Sequence, residues 1–152
     1  MIAVDTNILV YSHREEEAQY DEARSALESI WSTGRGWGLP WPCVHEFLAV
    51  VTNRKVYPDP TPMAVAIDAV HSFIEVGARL LGESTAHLEI IDRLVMAGRV
   101  TGPKVHDARV AAICIGQGVE ELWTVDRDFS YFPELRTRNP LVGQAQPRRP
   151  AQ

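Results

Sequence analysis

Short apolar segments alternate with longer stretches of helical periodicity along this chain, and that alternation constrains its fold more than any other feature. Ile2-Ala3-Val4 is apolar and stops abruptly at Asp5-Thr6-Asn7, the pattern of a buried parallel strand running into a polar loop. From about Tyr20, the residues Ala23, Leu27, Ile30 and Trp31 recur on one helical face until Gly34, Gly36 and Gly38 interrupt them. Trp37–Trp41 reads as a second strand, made awkward by Pro40. Pro42 then suits the first turn of a helix that turns Val44, Phe47, Leu48 and Val51 inward. The proline-rich stretch from Tyr57 to Pro62 is a break. Met63, Ile67, Val70 and Ile74 mark the next helix, and Arg79-Leu80-Leu81 a third strand. Ser84 or Thr85 is placed to cap a helix carrying Leu88, Ile91, Leu94 and Val95. A further helix opens at Asp107 with Ala108, Ala111, Ala112 and Ile115 inward. Leu122-Trp123-Thr124-Val125 reads as the next strand, closed by Asp126-Arg127-Asp128. Strands alternating with helices predict an α/β fold with a mainly parallel sheet.

The 152 residues suffice for one sizeable core, and no second domain or internal repeat is visible. We therefore read positions 1–142 as a single domain and 143–152, rich in Pro, Gln and Arg, as a flexible tail. No apolar run approaches the roughly 20 residues of a membrane span, and no basic, apolar leader opens the chain. A cytoplasmic protein is the resulting expectation. Cys43 and Cys114 sit in apolar, helical-looking segments and are expected as buried free thiols, too few for a thiolate metal site. The net charge of −5 would disfavour a nucleic-acid partner only if binding required a basic surface throughout.

The position of the acids changes that conclusion. In open α/β sheets, ligands bind beyond the carboxyl ends of the strands. Asp5 and Asp126 each follow a short apolar strand, Asp107 opens a helix, and Glu46 lies early in its helix, off the face that buries Val44, Phe47 and Leu48. All four are thus expected on one rim. Converging carboxylates repel one another unless a cation joins them, and an all-oxygen set suits Mg²⁺ or Mn²⁺. Such ions neutralise charge developing on a phosphate, so an acidic site is compatible with an anionic substrate. Each acid also has a plainer reading: Asp5 and Asp107 as helix or turn caps, Glu46 as a solvated helix residue, Asp126 and Asp128 as turn formers. His45 and His106 stand beside two of the acids and, singly, read as surface or core residues.

Four segments, taken in order, resemble PIN-domain proteins, and in particular VapC-type toxins of prokaryotic toxin–antitoxin pairs. They are Val4-Asp5-Thr6-Asn7-Ile8-Leu9, His45-Glu46-Phe47, His106-Asp107-Ala108 and Leu122-Trp123-Thr124-Val125-Asp126-Arg127-Asp128-Phe129. The resemblance implies a three-layer α/β/α sandwich and Mg²⁺- or Mn²⁺-dependent endonucleolytic cleavage of RNA. It also implies a homodimer and an antitoxin protein that inserts a basic residue into the acidic site. By the same resemblance, Asp5 and Asp107 become principal metal ligands, completed by Glu46 and Asp126, with Asp128 as an alternative fourth acid. Thr6, Asn7 and Thr124 would orient the acids, while Arg14, Lys104, Arg109 and Arg127 would meet RNA phosphates. Trp37, Trp41 and Tyr57 stay undecided between core and exposed contact surface. Two other readings remain. One is a phosphatase or phosphotransferase with an aspartate nucleophile, although position 7 is Asn where that chemistry normally has a second Asp. The other is a non-catalytic protein-binding module of the same fold.

Overall fold

The computed structural model describes residues 1–142; the tail expected at 143–152 lies outside the described residues. Five short strands form one sheet, and every pairing in it is parallel. In chain order the elements are β1 (Ile2–Val4), α1 (Thr6–His13), α2 (Tyr20–Thr33), β2 (Trp37–Pro40), α3 (Trp41–Val51) and α4 (Met63–Glu75). They continue with β3 (Ala78–Leu81), α5 (His87–Gly98), α6 (Lys104–Gly116), β4 (Glu121–Trp123), a 3-10 helix (Arg127–Tyr131) and β5 (Thr137–Arg138). The strand order is β3-β2-β1-β4-β5. The chain winds outward from β1 in one direction through β2 and β3, then crosses back to place β4 on the other side. The reversal point therefore lies between β1 and β4, where ligands bind in sheets of this kind.

The two faces of the sheet follow from the period of two along each strand. Ile2 and Val4 point into a core shared with Trp37, Leu39 and Trp123, covered by α1, α2, α3 and α4. Ala3 points the other way, into a core with Leu81 and Leu122 beneath α5 and α6. Register agrees with this sorting: Val4 stands opposite Trp123, and Ala3 opposite Leu122. Helices on both faces of the sheet make the α/β/α sandwich that the resemblance implies. Pro40 occupies the last position of β2, and β1 pairs with β2 only through Ile2 and Ala3. No β1 ladder bond is lost there. Gly38 has no freedom to be larger, since a Cβ would lie 2.8 Å from the Arg79 carbonyl oxygen and 2.9 Å from Leu81 Cγ.

Several expectations need correction. The polar loop expected after β1 is instead a buried helix, α1, with Asp5 as its N-cap accepting from the Thr6 N–H. Ile8, Leu9 and Val10 are all buried, so the helix lacks the one-sided pattern by which helices are recognised. The helix expected to open at Asp107 begins at Lys104 with Pro103 at the N-cap, so Asp107 lies in its first turn and caps nothing. Neither Ser84 nor Thr85 caps α5; its N-cap is Ala86, without a side-chain bond. β2 ends at Pro40, because Trp41 already belongs to α3, and β4 ends at Trp123 rather than Val125. β5 had no signal at all: it is two exposed residues long. Cys43 and Cys114 are buried and free, as expected. No helix among the described residues is long and apolar enough to cross a membrane.

Candidate active site

The carboxyl rim between β1 and β4 opens into a cleft of about 890 Å³ whose lining includes Asp5, Glu46, Asp107, Asp126 and Asp128. Each acid arrives by a different route. Asp5 leaves the end of β1 and caps α1. Glu46 projects from the second turn of α3, which starts directly at the end of β2. Asp107 comes from the first turn of α6, and Asp126 caps the 3-10 helix by accepting from the Asp128 N–H at 2.8 Å. All four acids singled out in the sequence thus reach one cleft. Both Asp126 and Asp128 reach it too, so the choice posed between them does not arise from position.

Asp5 is the most constrained. It is buried, and each carboxylate oxygen has two donors. Oδ1 accepts from Thr6 N at 2.7 Å and, weakly, from the Cys43 thiol at 3.5 Å. Oδ2 accepts from Thr124 Oγ1 at 2.6 Å and Asn7 Nδ2 at 2.9 Å. Thr124 Oγ1 also accepts from the Asp126 N–H at 3.0 Å, linking the two strand ends. Asn7 Oδ1 accepts from the Val125 N–H at 3.3 Å, closing the same ring. Thr6 Oγ1 donates instead to Glu46 Oε2 at 2.7 Å. Cys43 is a member of this network that sequence reading missed; a thiol in an apolar run carries no signal of what it will face.

Electrostatics sharpen the picture. Burial raises the Asp5 carboxyl above its usual value against the lowering effect of its donors, and the Glu46 charge adds to the rise. Asp107 is raised too, by burial first and then by the charges of Asp126, Asp128 and Asp5. Among the described residues, none of Asp5, Glu46, Asp107 and Asp126 forms an ion pair. Lys104 reaches Asp128 at 2.7 Å and lies 4.3 Å from the centre of the Tyr131 ring. Carboxylate oxygens of Asp107, Asp126 and Asp128 lie within 4.8 Å of one another. Repelling oxygens at that spacing, with one cation for three acids, fit a hard divalent ion.

The match to known proteins bears on the same residues. The PIN domain family model covers residues 2–135, which takes in every acid of the cleft. The chain belongs to the PIN-domain family. Ribonuclease VapC43 of Mycobacterium tuberculosis is 33% identical over 145 residues, 95% of this chain and 98% of that protein. Among solved structures, the PIN fold superposes on Mycobacterium tuberculosis VapC20, described as a sarcin-ricin loop cleaving toxin. The TM-score is 0.62 at 15% identity, over 86% of this chain and 93% of that one. VapBC2 from Rickettsia felis, bound to a DNA fragment from its promoter, superposes with a TM-score of 0.66 at 17% identity, over 91% and 98% of the two chains.

The basic residues singled out in the sequence divide. Lys104 and Arg109 line the cleft of this PIN domain, the first held by Asp128 and the second by Glu83 at 2.9 Å. Arg127 is exposed at the start of the 3-10 helix. Arg14 is elsewhere engaged: it donates to Thr61 Oγ1 and the Asp59 carbonyl, pairs with Glu16 and packs 4.2 Å from the centre of the Tyr57 ring. Of the aromatic residues left undecided, Trp37 and Tyr57 are buried and Trp41 is exposed. His45 and His106 both line the cleft.

Proposed function

We propose that this PIN domain is a Mg²⁺- or Mn²⁺-dependent endoribonuclease that acts in the cytoplasm as the toxin of a toxin–antitoxin pair, with residues 1–142 as its nuclease domain. One observation carries the reading: five carboxylates meet at the reversal point of the sheet, and four of them have no cationic partner among the described residues. Holding them there costs stability unless a cation is bound. The relationship to proteins named ribonucleases and toxins supports RNA as substrate.

Asp5 and Asp107 would be the principal ligands of the ion, completed by Glu46 and Asp126 or Asp128; the converging oxygens of Asp107, Asp126 and Asp128 support the Asp107 side of that set. A bound divalent ion supplies charge neutralisation at the scissile phosphate and lowers the pKa of water. Thr124 and Asn7 keep the Asp5 carboxylate in one orientation, and Thr6 does the same for Glu46. Such supporting bonds fix ligand geometry before substrate arrives. Lys104 and Arg109, which line the cleft, are the basic residues that would meet RNA phosphates in this reading. The same acidic wall suits an antitoxin that inserts an Arg, whose fork binds carboxylates in bidentate fashion. A homodimer is part of the same reading. The phosphatase alternative loses support because Asn7 serves as a hydrogen-bond donor to Asp5, with no acid–base group at that position.

The test is incubation of the purified chain with bacterial total RNA and with single-stranded DNA of equal length, in Mg²⁺, Mn²⁺ or EDTA. Discrete RNA fragments in Mg²⁺ or Mn²⁺, and none in EDTA, are expected. RNA left intact under every metal condition overturns the reading.

A further inference from the structure

Of the four tryptophans, Trp37 and Trp123 are buried, Trp31 is half-buried, and Trp41 stays 41% exposed. Trp41 is the first residue of α3, at the carboxyl rim where β2 ends. One turn further on the same helix face lies His45. The two rings pack with centroids 5.5 Å apart and planes inclined by 32°. His45 lines the cleft, next to Glu46. An exposed indole, lying just outside the lining and beside Gly82, thus packs on an imidazole that does line the acidic cleft. Neither ring is needed for the core: Cys43, Val44, Phe47 and Val51 provide the buried face of α3.

We propose that the Trp41–His45 pair is a stacking platform for one unpaired nucleobase of the RNA strand held in the cleft. This rests on the ribonuclease reading and adds to it a residue that positions substrate. The charge distribution favours a base over any other part of the RNA at this place. The cleft cations, Lys104 and Arg109, both belong to α6. On the α3 side, the acidic lining residue is Glu46, and no Lys or Arg of α3 lines the cleft. Attraction of an RNA strand on that side then comes from uncharged contacts, and the exposed Trp41 face offers stacking. Single-stranded RNA presents unstacked bases to such faces, and the contact tolerates different bases because each has a π face.

The experiment has a binding arm and a cleavage arm, both with the full chain. In EDTA, where no cleavage occurs, polyuridylate and polyadenylate are titrated while tryptophan fluorescence is followed. Quenching in the wild type that is abolished in Trp41→Ala is expected. In the cleavage arm, a 12-nucleotide RNA spanning a bond cut in bacterial total RNA is compared with versions carrying one abasic nucleotide at each position in turn. Trp41→Ala is expected to raise KM about tenfold with kcat unchanged, and Trp41→Phe to restore most of the loss. One abasic position should cost the wild type about tenfold and Trp41→Ala nothing, since the two changes remove the same contact. An unaltered KM in Trp41→Ala, or abasic penalties identical in the two proteins, overturns the platform. So does a sedimentation shift from dimer to monomer in Trp41→Ala with wild-type abasic penalties, which would assign this face to a second copy of the chain. If the wild type cuts no RNA yet shows Trp41-dependent quenching, the ribonuclease reading falls and the platform stands.

Discussion

At the residue scale, Asp5 both caps α1 and faces the cleft, and the two roles separate by choice of substitution. Asn is as good an N-cap as Asp, and it keeps the shape while removing the charge. Asp5→Asn should therefore keep the circular dichroism spectrum of the wild type while metal-dependent RNA cleavage falls at least ~100-fold. Asp5→Ala should also lose about 1 kcal/mol of stability with the cap, read by urea denaturation. Asp107 makes the complementary case. Its folded carboxyl is raised above the unfolded value by burial and by Asp126, Asp128 and Asp5. Relative to the unfolded chain, its contribution is favourable below the ordinary carboxylate range and is lost as pH rises through the raised value. In EDTA at neutral pH, Asp107→Asn should melt higher than the wild type, and the gap should close as pH falls to about 4. Melting scans across that range check it; a lower melting point for the variant at neutral pH would contradict the clustered-charge account.

Elements set where those residues stand. α3 starts without a loop at the end of β2, and α6 starts three residues before Asp107, so Glu46 and Asp107 both fall in early turns at the carboxyl rim. Strand spacing matters as much. β2 and β3 approach so closely at Gly38 that a methyl group would meet the Arg79 backbone. Gly38→Ala should cost about 1–3 kcal/mol in urea unfolding, because β3 rather than a flexible side chain must give way. An unchanged midpoint would show that β3 moves aside freely.

For the whole molecule, the proposed function makes the acidic cleft a site for which metal and a basic side chain of a protein inhibitor compete. A cognate antitoxin whose Arg or Lys enters the cleft should lose at least about tenfold in affinity for Asp5→Asn and for Glu46→Gln, measured by calorimetry in EDTA. Equal affinity for both variants and the wild type would mean that the inhibitor works by covering the RNA path or separating protomers. Excess metal should compete with such an inhibitor and stabilise the wild type by mass action.

Much of this was legible in residue order. Period-3.6 patterns mark α2, α3, α4 and α5, because those helices bury one face and leave the other in water, and β1 shows as a short apolar run cut off at Asp5. The four acid-bearing segments were visible because Asp5 and Asp126 follow directly on short segments read as strands, while Glu46 and Asp107 each follow a histidine early in a helix, in the order the family resemblance requires. What one-dimensional pattern left undetermined were α1 and β5. α1 is too buried to show a stripe, and β5 too short and exposed to show alternation. Partner choice was equally hidden: nothing in the order of residues joins Arg14 to Thr61 and Tyr57, Lys104 to Asp128, or Cys43 to Asp5. Those pairings span up to 47 positions of chain, and only packing brings them within reach. Sequence determined which chemistry the chain carries; the crossover that sets β4 beside β1 decided that the chemistry meets in one place.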